Sequence, residues 1–184
     1  MINPKGVIVM NFFLQMAGFP GSGKSTLSRK IAQAIQAVII DHDIVKTALL
    51  ESLDDLPIDP RRAGSVSYHI EWALIDFHLS QGHSVIFDSP CFYSEMVEKG
   101  VALANKNGAK YKYIECYLND VEEIKRRLKS RTRMVSQIQT VDSEEGFYQA
   151  INQSKKPDSN HYLIIDSSQP LENYINKVLE YIKY

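Results

Sequence analysis

The sequence predicts an α/β fold, a three-layer αβα sandwich around a five-stranded parallel sheet with a lid segment. Three observations carry that expectation. Short β-branched runs alternate with stretches of helical apolar spacing along the chain, which is the pattern of a parallel sheet with helices on both faces. A glycine-rich turn, "GFPGSGKST" from Gly18 to Thr26, joins the first such run to the first such helix. Late in the chain, residues 131–160 lose all periodicity. A loop of that length is uncommon inside a compact domain unless it binds or moves, so it reads as a mobile lid.

The elements follow in order. "NFFLQMA" supplies the first strand, residues 12–17, and "KSTLSRKIAQAI" the first helix, residues 24–35. "AVIID" is a second buried strand ending at Asp41, and "DIVKTALLESL" has helical spacing up to the two-proline break "DDLPIDP". A long helix is expected from Arg61 to Gln81, stopped by Gly82. "HSVIFDSP" is a third strand whose last carboxylate, Asp88, precedes Ser89 and Pro90, so the backbone leaves the sheet there. "SEMVEKGVALANKNG" is a helix with a glycine stop at Gly108, and "KYKYIECYL" a fourth strand. "NDVEEIKRRLKSR" opens on Asn119 or Asp120 as a cap, while "HYLIIDSS" and "LENYINKVLEYI" give the fifth strand and last helix.

At 184 residues the chain has the length of one domain with a sizeable core. A charged fraction of 23% and a net charge of -1 give no electrostatic case for a polyanionic partner. "GVIVMNFFLQMAG" is too short and too interrupted to span a bilayer, and no small-residue cleavage site follows it, so a cytoplasmic location is expected. Residues 1–9 either pack on the sheet as an extension or precede a natural start at Met10. Cys91 and Cys116, both in apolar runs near strand ends, read as buried reduced thiols, and the five histidines show no metal-ligand spacing.

Gly18, Gly23, Lys24 and Ser25 satisfy G-x-x-x-x-G-K-[ST], with Pro20, Gly21, Ser22 and Thr26 completing the turn. Backbone N–H groups in such a turn face the β-phosphate, the lysine bridges β- and γ-oxygens, and the serine hydroxyl ligates Mg²⁺. The alternative, a glycine-rich turn without a ligand, does not explain the strand before it and the helix after it. Guanine specificity is disfavoured, because "NKNG" at Asn105 to Gly108 carries glycine where a guanine-reading aspartate belongs.

Asp41 and Asp43 stand at the carboxyl end of the second strand, which opens onto the same crevice as the turn. One can serve the Mg²⁺ water shell and the other face an acceptor hydroxyl as general base. The bland alternative makes Asp43 the helix N-cap and Asp41 a strand-end charge. Asp88 is the expected magnesium carboxylate.

"GFPGSGKSTL", "IDHD" with Lys46 three residues on, "VIFDS", an arginine-bearing helix before a lid and "LIIDSSQPLENYI" together resemble P-loop kinases of the nucleoside-monophosphate-kinase-like class. The similar branch contains polynucleotide 5′-kinase domains, zeta toxins, chloramphenicol phosphotransferase, and shikimate and gluconate kinases, and the likeness runs from Phe12 through the chain. The resemblance implies a P-loop NTPase sandwich with ATP and Mg²⁺ as cofactors, Asp43 as base and Asp41 on the metal side with Ser25 and Asp88. It implies lid arginines on the transferring phosphoryl and the adenine, here Arg126, Arg127, Arg131 or Arg133. Glu122 and Glu123 can pair with the first two, which favours Arg131 and Arg133 as catalytic and leaves Arg127 to the nucleotide. The "DSSQP" loop, with Ser168, falls where the family packs backbone on adenine.

Lys46 stands where polynucleotide kinases place an arginine that holds the acceptor phosphate. It keeps the charge and loses the bidentate fork, which argues against a nucleic-acid 5′ end. Acceptor recognition is expected between the second and third strands and after Asp88, from Lys46, Arg61, Arg62, Tyr68, His69, Trp72, Pro90, Cys91, Phe92 and Tyr93, although Tyr68 and Trp72 also fit a packed helix face. The leading expectation is a kinase acting on a hydroxyl of a small molecule. A polynucleotide 5′-hydroxyl kinase and a non-catalytic ATP-binding regulatory module are the alternatives. The first would need a basic strand-binding groove, and the second would have no use for an acceptor-side base.

Overall fold

The computed structural model describes residues 11–53, 58–158 and 162–183. The reading of residues 1–9, and residues 159 and 160 of the expected lid, lie outside the described residues. Five strands form one sheet: β1 (Phe12–Ala17), β2 (Val38–Asp41), β3 (Val85–Asp88), β4 (Lys110–Tyr117) and β5 (Tyr162–Asp166). Their spatial order is β2-β3-β1-β4-β5 and every pairing is parallel. Parallel neighbours require crossovers, and the helices α1 (Lys24–Ile35), α2 (His42–Glu51), α3 (Pro60–Ser80), α4 (Ser94–Lys106), α5 (Val121–Ser130), α6 (Glu144–Asn152) and α7 (Ile175–Lys183) stand between or after the strands.

The period-two alternation of β1 fixes the three layers. Phe13 and Ala17 join the core formed with Trp72, Ile75 and Leu79 of α3 and Met96, Val97 and Ala104 of α4. Phe12, Leu14 and Met16 face Leu27 and Ile31 of α1 and Val178 and Ile182 of α7. A strand buried on both faces reads as a continuous apolar run, which is why β1 was legible. Gln15 breaks that run and is fully buried, but it is satisfied: its amide donates to Cys91 Sγ at 3.0 Å and accepts from the Tyr111 hydroxyl at 2.8 Å. Cys91 and Cys116 are buried free thiols.

Gly100 lets α4 lie directly on this network. A Cβ there would stand 2.4 Å from Gln15 Oε1, 2.9 Å from Tyr111 and 3.0 Å from Phe13. All three neighbours are wedged between sheet and helix. Gly100→Ala is therefore expected to cost about 1–3 kcal/mol by overpacking, seen as a lower urea midpoint at unchanged slope; an unchanged midpoint would show that the helix shifts freely.

The structure sharpens three local expectations. α3 starts at Pro60, one residue before Arg61, because Asp59 caps it by accepting from the N–H groups of Arg61 and Arg62 at 2.9 and 3.0 Å. The cap of α2 is Asp41 and not Asp43: Asp41 Oδ1 accepts from Asp43 N at 2.9 Å. The segment from residue 131 is not aperiodic throughout, since it contains α6. That helix is capped by Ser143, whose Oγ accepts from Gly146 N at 3.0 Å. Its apolar contribution to the satellite core is only Phe147 and Ile151, too few for a visible period. Phe147 packs edge-on against Phe19 with centroids 5.0 Å apart, tying α6 to the glycine-rich turn.

Candidate active site

The turn after β1 is shaped by backbone that only glycine adopts freely. Gly18 has φ +130°, and a Cβ there would lie 2.4 Å from the Cys116 carbonyl. Gly23, at φ +94°, is the N-cap of α1 and offers no side-chain acceptor. The first N–H groups of α1 are thus left for a ligand, and no acidic residue stands in that first turn, the arrangement that suits an anion. Lys24 is buried and curls back to donate to the carbonyls of Gly18 at 2.8 Å and Phe19 at 3.2 Å. Burial lowers its pKa, and Asp88 opposes that most strongly.

In front of the turn lies a cleft of about 530 Å³. Pro20, Gly21, Ser22, Gly23, Lys24, Ser25 and Thr26 form its floor. Asp43 and Asp88 enter from the ends of β2 and β3, and Arg127 and Arg131 from the α5 side. Neighbouring parallel strands release their carboxyl ends on one side of the sheet, which is why residues far apart in sequence converge here.

Asp88 is buried, and its Oδ2 has no hydrogen-bond partner among the described residues. Burial raises its pKa, opposed first by Lys24 and then by a hydrogen bond from Ser25. An orphaned carboxylate oxygen beside a serine hydroxyl fits Mg²⁺, which takes one or two carboxylates and fills its remaining positions with water and phosphate oxygens. No group of three or more His, Cys, Asp or Glu that could hold a metal ion exists among the described residues.

Asp41 lies outside the cleft wall and spends Oδ1 on the cap of α2. Burial, then Asp88 and Asp43, push its pKa from 3.8 up to about 6. The folded protein therefore holds this proton more tightly than the unfolded chain, so stability falls as pH rises from 3.8 to about 6 and the full cost persists above that. Asparagine also caps helices. Asp41→Asn is accordingly expected to stabilise the magnesium-free protein by about 1–3 kcal/mol near neutral pH and by almost nothing near pH ~3.5. Urea unfolding at the two pH values checks it, and an equal effect at both would remove the electrostatic account.

The arginines divide. Arg127 donates to Glu123 Oε1 at 2.7 Å and to the Ser167 carbonyl at 2.9 Å, and lines the cleft. Arg126 is an exposed partner of Glu123, at 2.6 and 2.7 Å, away from the cleft. Arg131 lines the cleft, donates to the Ile138 carbonyl at 2.8 Å and keeps a buried Nε without a partner. Arg133 stands outside the cleft wall, on the Gln137 carbonyl at 3.2 Å. Ser168 is exposed and bound to Asp166, while its neighbours Ser167 and Gln169 line the cleft. Lys46, Arg61 and Phe92 are not brought to the cleft wall: Lys46 lies towards Gly64, Arg61 is exposed at the start of α3, and Phe92 lines a separate small cavity with Gly18, Phe19 and Ile151.

Two further residues of the cleft wall, His42 and Gln137, have no assigned role in the motifs that the sequence displays. His42 lines the cleft beside Asp43, with Nδ1 at 2.9 and 3.1 Å from the two oxygens of the fully buried Glu71 and its ring stacked on Tyr68 at 4.2 Å. A carboxylate within the apolar stripe Trp72, Ile75 and Leu79 was the available signal, because a buried charge requires a partner. Gln137 also lines the cleft and donates from Nε2 to Asp43 Oδ2 at 2.8 Å. No local pattern announces it.

Residues 14–147 match the AAA domain family. The chain belongs to it. No curated protein matches the sequence. Among solved structures, this AAA-domain chain is similar to a protein of Chloroflexus aurantiacus j-10-fl provisionally designated a kinase, at 19% identity and TM-score 0.74 over 95% of this chain and 97% of that one. It is similar to a gluconokinase from Sinorhizobium meliloti 1021 at 16% identity and TM-score 0.60, covering 94% and 92% of the two chains. The Mycobacterium tuberculosis APS kinase CysC in complex with AMPPNP and APS matches at 13% identity and TM-score 0.63, covering 95% and 99%. At these identities the likeness shows the fold, that of P-loop kinases. Among the described residues no helix is long and apolar enough to cross a membrane.

Proposed function

We propose that this AAA-domain protein is a phosphotransferase that moves the γ-phosphoryl group of ATP to a hydroxyl of a small-molecule acceptor. The observation that carries the proposal is convergence: a glycine-rich phosphate turn, Lys24, an orphaned Asp88 oxygen, Arg131 and the carboxylate of Asp43 face one cleft. A protein that only held nucleotide would have no use for Asp43 opposite the phosphates. The solved kinases of the same fold, gluconokinase and APS kinase by name, lend support.

In the proposed reaction the backbone N–H groups of the turn and Lys24 hold the β- and γ-phosphates. Ser25 and Asp88 would hold Mg²⁺, which when bound neutralises phosphate charge. Asp43 accepts the proton of the acceptor hydroxyl as its oxygen bonds to phosphorus in line and the bond to the ADP oxygen breaks. Arg131, with Arg127 beside it, spreads the charge that develops on the transferring group. Residues 131–158 would serve as the lid that excludes water over the cleft.

The test is ATP consumption with Mg²⁺ against a panel of sugars, hydroxy acids, nucleosides, antibiotics and 5′-hydroxyl oligonucleotides. One small molecule that stimulates turnover and leaves as its phosphate ester is the expected result. Stimulation by the oligonucleotides alone would replace the acceptor class, and nucleotide binding with no acceptor-dependent turnover across the panel would favour a binding module.

A further inference from the structure

Gln137 lies 94 residues from Asp43 in sequence and in hydrogen-bond contact with it in space. Its carboxamide is not free to turn. Oε1 accepts from Met134 N at 3.2 Å, and the backbone of the same residue closes the turn by donating from Gln137 N to Met134 O at 3.1 Å. Rotating the amide by half a turn would set Oε1 against the Asp43 carboxylate and Nε2 against an N–H, two repulsive contacts. The donor end is therefore fixed on Asp43 Oδ2 at 2.8 Å.

The turn that carries Gln137 is itself docked on α2. Ser136 Oγ donates to the Asp43 carbonyl at 3.0 Å and accepts from Thr47 Oγ1 at 2.9 Å, and Ser136 N donates to Thr47 Oγ1 at 3.3 Å. Arg131 donates to the carbonyl of Ile138 and Arg133 to that of Gln137. Six hydrogen bonds from outside the turn thus converge on three consecutive residues, Ser136 to Ile138, and their combined outcome is one N–H on one carboxylate oxygen.

Resting on the phosphotransferase reading above, we infer that Gln137 discriminates the acceptor from water by occupying the proton-accepting oxygen of Asp43 until an acceptor hydroxyl displaces it. An N–H donated to Oδ2 takes up a lone-pair site on the cleft-facing carboxylate that a substrate O–H would use before general-base transfer. The carboxamide cannot complete the reaction, because its nitrogen lone pair is delocalised into the carbonyl. A water molecule offers a hydroxyl with almost no other contact and does not repay the loss of a charge-assisted hydrogen bond. An acceptor that fills the neighbouring space, against His42 and Pro90, brings contacts that do. Gln137 acts through Asp43 and is a positioning residue. The leak it suppresses is hydrolysis: the water oxygen bonds to the γ-phosphorus, the bond to the ADP oxygen breaks, the water proton passes to Asp43, and ADP and inorganic phosphate leave.

The experiment needs no knowledge of the acceptor. Acceptor-free ATP hydrolysis with Mg²⁺, ATP Kd and hydrogen exchange of the 134–138 amides are measured in the full chain for the unaltered protein, Gln137→Ala, Ser136→Ala and Gln137→Ala/Asp43→Asn. Gln137→Ala is expected to raise hydrolysis about 10- to 100-fold, the size of one hydrogen bond to a charged group, without a matching change in Kd. Ser136→Ala should give a smaller rise, both variants should expose the 134–138 amides, and the double variant should lose the gain. Freed amides with unchanged hydrolysis overturn the inference. A gain that survives Asp43→Asn overturns it as well and moves the base elsewhere. The acceptor panel remains a separate measurement, so phosphoryl transfer to an acceptor can stand although Gln137 proves idle.

Discussion

Asp43→Asn is expected to reduce acceptor phosphorylation by about 10²- to 10⁴-fold, the range removed with a general base, and to leave ATP binding in place. The substitution is close to isosteric. Asparagine at 43 still presents a carbonyl oxygen to Gln137 Nε2 and keeps its backbone N–H on Asp41, so the first turn of α2 and the docked 134–138 turn persist. What disappears is the capacity to take a proton. Among the described residues no hydrogen bond joins that side chain to the turn from Pro20 to Thr26, which is proposed to hold the phosphates, so ATP affinity is expected to persist. A second consequence is electrostatic. Asp43 raises the pKa of both Asp41 and Asp88 through like-charge repulsion, so its neutralisation lowers both. Asp88 becomes easier to ionise, and metal affinity is expected to hold or improve while turnover collapses. Single-turnover phosphorylation, ATP Kd and Mg²⁺ dependence measured side by side separate these effects. Turnover within a factor of ~2 of the unaltered protein would take the base role from Asp43, and parallel losses in turnover and ATP affinity would recast the residue as part of the nucleotide site.

The strand, glycine turn and helix from Phe12 to Ile35 are fixed by neighbours in sequence, and β1 and β3 announce themselves as short apolar runs because they are buried on both faces, whereas the edge strand β5 leaves Ile164 exposed. Strand order is another matter, since setting β3 between β2 and β1 requires a crossover that no local pattern encodes. The cap of α2 was ambiguous for a related reason. "IDHD" offers two aspartates two residues apart, and only the backbone direction at the end of β2 decides that Asp41 accepts and Asp43 is left to face the cleft. His42 with Glu71, 29 residues apart, and Gln137 with Asp43 are products of tertiary packing. The buried glutamate left a trace in the apolar stripe of α3. The glutamine left none, because polar residues in an irregular segment are what solvent-exposed loops contain.

Lys24→Ala is the second large effect, and its signature is a separation between function and stability. Turnover is expected to fall about 10²- to 10³-fold, as when a preorganised donor to developing charge is removed, and affinity for ATP and ADP to fall with it, because the proposed reaction gives the ammonium the β-phosphate to hold. AMP, lacking that group, is expected to bind the two proteins alike. The nucleotide-free fold has a different interest in this residue. Lys24 is buried, its two hydrogen bonds go to carbonyls of the same turn, and burial holds its pKa below the usual 10.5. A lysine whose folded pKa is lowered binds its proton less tightly than in the unfolded chain, so its charged form at neutral pH costs stability, a cost that shrinks as pH rises towards 10.5. Alanine removes that cost and leaves room for water on the two carbonyls. It also removes the chief influence holding the pKa of Asp88 down, so the orphaned carboxylate becomes harder to ionise and the metal side weakens too. Thermal unfolding without nucleotide should therefore show Lys24→Ala at or above the melting temperature of the unaltered protein, while the stabilisation that saturating ATP confers is largely lost. Reduced turnover accompanied by a lower melting temperature of the free protein would instead make Lys24 a support of the turn and leave the phosphate clamp to the backbone and Arg131.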